Sequence, residues 1–460
     1  MFTDLTQLRA RVGHALVLAA VASFAACTND ETTPLRSAPG APRRDVTPTI
    51  VVTNTNDAGA GSLRQAIASA TDGDVIGFDA PIAGQTITLS TGQLLISSAS
   101  TILGSQTKGM TISGGGASRV FEIQSAGNVT LRNLSIVNGS ASFPTSGGGI
   151  ALLTGNLTLD HSLVSGNSAG SPLAGGAGGG IYVDGNATLT VTNATITKNS
   201  AELGGGIYLN AGTVDATNLT ITNNAAHTGG GARSNGPTGT AFTLRNSIVA
   251  LNSAGGDCAF GGPLTLAGTN LIGDTSCGSA GSGIIVADPM LAALADNGGP
   301  TQTQALLAGS PAIDAATNCT VTDDQRYVAR PLGAACDIGA YEFDNRPKVT
   351  IAIDANGTVN PSTGAALITG TVTCSAPVSI QLQVGLAQDQ KVRRATTTVQ
   401  ASDVTTIACV TSKPWSIILT PSSGAFVNSA ASATANTVNP SGQIVPVSAA
   451  ATVKLFWGHT

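Results

Sequence analysis

Five thirteen-residue segments of this chain align with one another without a gap. They begin at Val129 (VTLRNLSIVNGSA), Leu157 (LTLDHSLVSGNSA), Leu189 (LTVTNATITKNSA), Val214 (VDATNLTITNNAA) and Phe242 (FTLRNSIVALNSA), with starts 28, 32, 25 and 28 residues apart. Between them stand the glycine clusters Gly147-Gly148-Gly149-Ile150, Gly178-Gly179-Gly180-Ile181, Gly204-Gly205-Gly206-Ile207 and Gly229-Gly230-Gly231-Ala232. Self-similarity at such a period marks a chain of stacked supersecondary units. Positions one and three of each segment are apolar around a residue that is usually Thr, which is the alternation of a half-buried strand. Position eight is always Ile or Val. Position eleven is Asn in four of the five segments (Asn167, Asn199, Asn224, Asn252). Asn at that place is expected to take the left-handed conformation of a corner and to bond the same amide one coil away, while the glycines supply sharp bends. One coil cannot bury its apolar face alone, so neighbours must stack. The repeat implies an all-β parallel β-helix.

The GGGIY motif, a strand and then [I/V]xxN resemble the right-handed β-helix repeats of bacterial surface proteins, a pectate-lyase-like solenoid. They are similar to the GGA[I/L/V] and FxxN repeats of polymorphic outer-membrane proteins, with Ile or Val in place of Phe. Residues 51–67 (VVTNTNDAGAGSLRQAI) and 288–343 resemble the two ends of a bacterial family labelled choice-of-anchor Q. The second stretch carries Asp296-Asn297-Gly298-Gly299-Pro300, Gly309-Ser310-Pro311-Ala312-Ile313-Asp314 and Cys336-Asp337-Ile338-Gly339-Ala340-Tyr341-Glu342. The resemblance spans residues 48–343 and implies architecture and surface location rather than an activity. Within it, Ser62 reads as the N-cap of a short helix near 62–68 that closes the first coil. Residues 288–343 are expected to close the other end.

Arg9 and Arg11 precede a short apolar run from Ala15 to Ala26, followed by Cys27. A basic start, a short apolar core and small residues before a cleavage point read as a signal peptide over 1–26. Ser23-Phe24-Ala25-Ala26-Cys27 resembles a lipobox, which makes Cys27 the lipidated residue and 27–47, rich in Pro, Thr and charge, a flexible tether. Thr28, where lipoprotein sorting would place a retaining Asp, implies the outer membrane or cell surface. The other six cysteines fall into sequence-local couples, Cys258–Cys277, Cys319–Cys336 and Cys374–Cys409, paired as disulfides in an oxidising compartment. After a linker near Asn345, alternating strands over 348–460 read as an immunoglobulin-like β-sandwich. Trp415 follows both Cys374 and Cys409, so the Cys, Trp, Cys order of true immunoglobulin domains is absent.

Only 10% of residues are charged and the net charge is −5, so no basic footprint for nucleic acid exists. At 42% hydrophobic the chain is not a disordered one. Nothing points to a cofactor or a metal: no CxxC or His/Cys spacing suggests zinc. Because β-helices also host polysaccharide lyases and hydrolases, the acids of the repeat need weighing. Residues 129–254 hold Asp160, Asp184, Glu202 and Asp215, with Arg233 and Lys198 as available bases. A glycosidase needs two facing carboxylates, and coil geometry separates the backbones of Asp160 and Asp215 by ~12 Å. Asp160 follows Arg132 in one column and reads as its exposed ion-pair partner. Gly166-Asn167-Ser168-Ala169-Gly170 matches GxSxG without the strand-to-helix elbow that motif requires. His161 stands where other segments have Asn and reads as part of that row; His227 has no spaced partner. Asp323, Asp324, Arg326, Arg330, Asp337 and Glu342 form the densest charge cluster, read as an ion network within 288–343. Tyr182 and Tyr208 follow equivalent GGGI motifs and are expected to stack in register.

These observations point to a secreted, lipid-anchored surface protein whose polar Thr/Asn face serves adhesion or binds polysaccharide or matrix without catalysis. Two other readings stay open. In one the solenoid is a lyase or hydrolase using Asp160, Asp184, Asp215 and Arg233. In the other it is a spacer presenting the terminal sandwich. The sequence does not define an oligomeric state.

Overall fold

A computed structural model describes residues 46–460 except 143, 171–174, 237–238, 282, 345, 393–394, 439–443, 445–446 and 459–460. The stretch read as a signal peptide, Cys27, nearly all of the stretch read as a tether, and Asn345 therefore lie outside the described residues. The region up to Val286 is a solenoid whose strands pair in parallel from coil to coil, as the repeat requires. Three main faces recur from coil to coil, and a short four-stranded parallel sheet starts at position twelve of the first four segments. Face A comprises segment positions one to four, face B positions six to nine, and face C follows each glycine cluster. Strand Thr188–Thr197 runs across faces A and B, and Ile181–Val183 lies on face C. Leu157, Leu159, Val164 and their equivalents point inward to a continuous core. That burial is the main stabilising term of the stack.

The corners depart from the expectation in an instructive way. Left-handed backbone occurs at position five of every segment (Asn133, His161, Asn193, Asn218, Asn246; φ 59, 48, 49, 53 and 48°) and again at position ten, as in Asn138 and Asn223. Position eleven is not left-handed. Its Asn side chains, buried at Asn167, Asn199 and Asn224 and half-buried at Asn252, instead form the expected ladder: Asn167 Nδ2 donates to Asn199 Oδ1 at 2.9 Å, Asn199 to Asn224 at 2.9 Å, and Asn224 to Asn252 at 3.0 Å. Each Oδ1 also accepts the backbone N–H of the preceding rung, as Asn199 Oδ1 does from Asn167 N. The inward turn that satisfies this ladder requires ordinary strand-like backbone, and the tight bend falls one residue earlier. Asp257 ends the ladder by accepting from Asn252 Nδ2 at 2.9 Å. The glycine clusters follow from the same packing. A Cβ on Gly180 would lie 2.6 Å from Gly206 O and 3.1 Å from Asn199 Nδ2, so no side chain fits there.

At the first coil, helix Leu63–Ser69 is capped by Ser62, whose hydroxyl accepts from Gln65 N at 3.2 Å; Leu63, Ala66 and Ile67 are buried in the core. Arg64 pairs with Asp57 at 2.6 Å. The three expected disulfides, Cys258–Cys277, Cys319–Cys336 and Cys374–Cys409, are all formed.

Residues 288–343, expected to close the end of the stack, lie along its side. They form a strap over face B that reaches from Asn246, whose Nδ2 donates to Thr317 O at 3.0 Å, back to Asn133, whose Oδ1 accepts from the Tyr327 hydroxyl at 2.7 Å. Between these points Thr195 Oγ1 donates to Gln325 Oε1 at 2.7 Å, and Ala340 N donates to Thr220 Oγ1 at 3.0 Å. The reason is local chemistry. The outward positions of face B become apolar in the later coils (Ile248, Ala250, Leu271), and Leu306, Ala312 and Ile338 of the strap bury them.

The described residues of 349–457 form eight strands in one hydrogen-bonded network around a shared core. Burial alternates along them, as in Ala366–Cys374 and Ala430–Val438. The short strand Asn356–Val359 joins the parts, pairing antiparallel with Ala366–Cys374 and parallel with Ser448–Trp457. Trp415 is buried against Gly370, where a Cβ would come within 2.4 Å of the indole.

Candidate ligand-binding face

The outward side chains of face A are held in exact-coil register by the parallel pairing. One lane runs Thr101, Thr130, Thr158, Thr190, Asp215, Thr243 and Thr265, each the direct partner of the next. Six rung intervals of ~4.8 Å make it about 29 Å long. On one side lie Asn128, Asn156, Thr188 and Thr213, which bond along the axis: Asn156 Nδ2 donates to Asn128 Oδ1 at 2.7 Å, and Thr213 Oγ1 to Thr188 Oγ1 at 3.1 Å. On the other lie Arg132, Asp160, Thr192, Thr217 and Arg245. The central hydroxyls are half-exposed, and Asp215 and Thr265 are exposed. Lanes two residues apart are separated by ~6.6 Å. The result is a shallow surface of regularly spaced donors and acceptors with little net charge.

Of the candidate catalytic residues, Asp184 and Arg233 share face C beside the Tyr182–Tyr208 stack, whereas Asp160 and Asp215 lie apart from them on face A. Asp160 and Asp215 sit in different lanes of face A, two coils apart. Burial would raise the Asp160 carboxyl, but hydrogen bonds from His161 (2.7 Å) and Arg132 (2.9 Å) hold it below its ordinary value. The Arg132 pair expected from the sequence is formed, although Asp160 is buried rather than exposed. Asp184 lies at the end of face C and accepts from the Tyr182 hydroxyl at 2.7 Å, Asn210 Nδ2 at 3.0 Å and Gly185 N at 2.8 Å. Burial opposes these donors, and the carboxyl is nonetheless lowered. Arg233 stands on the same face with its guanidinium 6.0 Å from the Tyr208 ring. Tyr182 and Tyr208 stack with centroids 5.8 Å apart and planes 5° apart. Tyr208 is only 5% exposed, so the pair fixes register and offers no free ring face there.

The GxSxG match and the strap charges have structural work. Asn167 of the GxSxG match belongs to the buried ladder, and Ser168 lies in the two-residue strand Ser168–Ala169. In the strap, Arg330 and Glu342 form a fully buried ion pair at 2.8 Å. Asp324 takes Arg326 at 2.6 Å and the backbone N–H of Arg326, Val328 and Glu342. Burial pushes Asp337 up to about 6 and Glu342 up to about 7, against the pull of Arg330. Among the described residues no group of three His, Cys, Asp or Glu could hold a metal ion, and no helix is long and apolar enough to cross a membrane.

The sequence points to a polar Thr/Asn face without picking out this Thr lane. The lane's signal was present in the Thr at position two of four segments. Nor does the sequence show the partners that meet His161, because Asp323 and Tyr327 come from the strap.

No curated protein matches this chain. Among solved structures, a sporulation control protein from Bacillus subtilis aligns at 10% identity over 25% of this chain and 51% of its own, with a TM-score of 0.15. A cell-surface-expressed multi-modular chitinase from Paenibacillus aligns at 11% identity over 83% of this chain and 24% of its own, with a TM-score of 0.14. The chain thus spans about half of the first protein and a quarter of the second. The family model described as a right-handed β-helix region matches residues 87–272, the stretch in which the strands stack in parallel register.

Proposed function

We propose that this is a lipid-anchored bacterial surface protein that binds extended glycan or matrix polymers through face A, without turnover. The observation that supports this reading is the in-register lane from Thr101 to Thr265. A polymer laid along it meets a hydroxyl on nearly every rung, so many weak hydrogen bonds add up over several coils. A shallow face with little net charge gives a polyanion no special attraction. Separated acids in different lanes favour binding over hydrolysis, which needs a positioned pair. Three disulfides suit an oxidising, extracytoplasmic setting. Lipidation at Cys27 holds the protein at the outer membrane or cell surface.

The test is a binding screen of the purified full chain against insoluble and soluble neutral and anionic glycans, with reducing and unsaturated ends followed in parallel. Joint replacement of Thr158, Thr190 and Thr243 by Val should weaken binding about tenfold or more, one hydrogen bond each, and leave the fold intact. Unchanged binding by that variant would remove face A as the site. Turnover lost on replacing Asp160, Asp184, Asp215 or Arg233 would replace the reading with an enzyme. For the anchor, Cys27→Ser should move the protein from the membrane to the soluble fraction; wild-type protein found unmodified in that fraction would exclude lipidation.

A further inference from the structure

The five left-handed corner residues share a second property: each touches the strap. Asn133 accepts from the Tyr327 hydroxyl, Asn193 Nδ2 donates to Asp323 O at 3.0 Å, Asn218 Nδ2 to Gly339 O at 3.5 Å, and Asn246 Nδ2 to Thr317 O at 3.0 Å. Four of these anchors are neutral amides. The fifth is His161, which is 2% exposed. Its Nδ1 lies 2.7 Å from Asp160 Oδ1 on the solenoid, and its Nε2 lies 3.5 Å from Asp323 Oδ1 on the strap. The Tyr327 ring stacks on the imidazole at 4.0 Å, and Thr301 Oγ1 donates to His161 O at 3.3 Å. A neutral imidazole has one N–H and can donate to only one of the two carboxylates. Only the imidazolium donates to both.

We propose that His161 is a proton-operated latch: doubly protonated, it ties the strap's Asp323 to the solenoid's Asp160, and on losing a proton it lets the strap loosen over Thr195 and Thr220. The charged and titratable groups facing the ring are Asp160 on its own strand, Arg132 on the adjoining coil behind Asp160, and Asp323 and Tyr327 on the strap. Asn193 Nδ2 stands 3.5 Å from Nε2 but is also committed to Asp323, to O at 3.0 Å and to Oδ1 at 3.2 Å. Burial alone would disfavour the charged ring, but the hydrogen bonds and charges of Asp160 and Asp323 outweigh it and raise its pKa. A folded value above the unfolded one means that the latch contributes fully below about pH 6.5. Its contribution is lost as pH rises through the folded value.

The experiment uses the full chain. The titration of His161 is followed by NMR with labelled histidine, and hydrogen exchange of peptides covering 318–330 is followed from pH 5.5 to 8.5, corrected for intrinsic rates. His161 should titrate above the ordinary histidine value. Strap protection should fall about tenfold for each unit of that displacement. His161→Asn, which installs the residue of the other corners, should keep the strap docked and remove this part of the pH dependence. The contribution of Asp337 and Glu342 survives in that variant and cancels in the difference. Asp323→Asn should lower the His161 titration point. The latch is overturned if wild type and His161→Asn lose protection in parallel, or if His161 titrates at or below its ordinary value.

Discussion

Faces A and B are made by the same thirteen-residue segments, yet one is open and the other is covered. Both carry threonines on successive rungs: Thr158 and Thr190 on face A, Thr195 and Thr220 on face B. On face B the hydroxyls are buried and matched by strap groups: Gln325 accepts from Thr195, Gln304 accepts from Thr222, and Thr220 accepts from Ala340 N. On face A they meet solvent. The difference lies in the neighbours. Face B ends in outward Ile248, Ala250 and Leu271, whose burial stabilises any segment that covers them, whereas the matching region of face A carries Thr243, Arg245 and Thr265. The covered face thus demonstrates how an extended chain can satisfy such a hydroxyl row, and the open one leaves the same chemistry available.

The largest effect should come from the strap's buried charges. Arg330→Met leaves Asp337 and Glu342 without their cation and should cost about 3–5 kcal/mol, read as a loss of strap protection in hydrogen exchange while face A protection persists. A change below about 1 kcal/mol would mean that the strap is held by its apolar contacts alone. The same carboxyls set a pH dependence. Their folded values, about 6 for Asp337 and about 7 for Glu342, lie above the unfolded ones. The folded strap therefore keeps protons that the unfolded chain releases, and the contribution of these two carboxyls to stability is greatest below about pH 4. It should decline as pH rises to about 7, and urea midpoints that rise over that range would contradict the assignment.

Next in size is the ladder. Asn199→Ala leaves the backbone N–H of Asn167 without its acceptor and takes one of two acceptors from Asn167 Nδ2, the other being Ile136 O, and should cost about 1–3 kcal/mol. Asn156→Ala on open face A should cost under about 0.5 kcal/mol. Equal losses in thermal unfolding would remove the distinction between buried and exposed amide rows. The smallest and sharpest comparison is between two threonines of one strand. Thr195→Val removes the bond to buried Gln325 and should cost about 1 kcal/mol, while Thr190→Val should be nearly neutral to stability and act on binding.

The repeat determined much of this molecule before any coordinates. Contacts that recur with the same offset from coil to coil leave a periodic trace. The inward Leu, Val and Ile, the Asn ladder and the Tyr182–Tyr208 stack were therefore legible, and the disulfides were legible for another reason, each joining cysteines at most 35 residues apart. The position of the left-handed corner was not. Position five holds Asn or His and position eleven mostly Asn, and composition alone does not tell a residue that bends the backbone from one that turns inward to bond. The course of the strap was beyond the sequence for a different reason. Its contacts are single events across long separations, 71 residues from Asn246 to Thr317 and 194 from Asn133 to Tyr327. No periodicity announces them. Local patterning sets what each coil buries, but which outer face stays open depends on where one non-repeating segment gains most by lying down, and only the tertiary structure decides that.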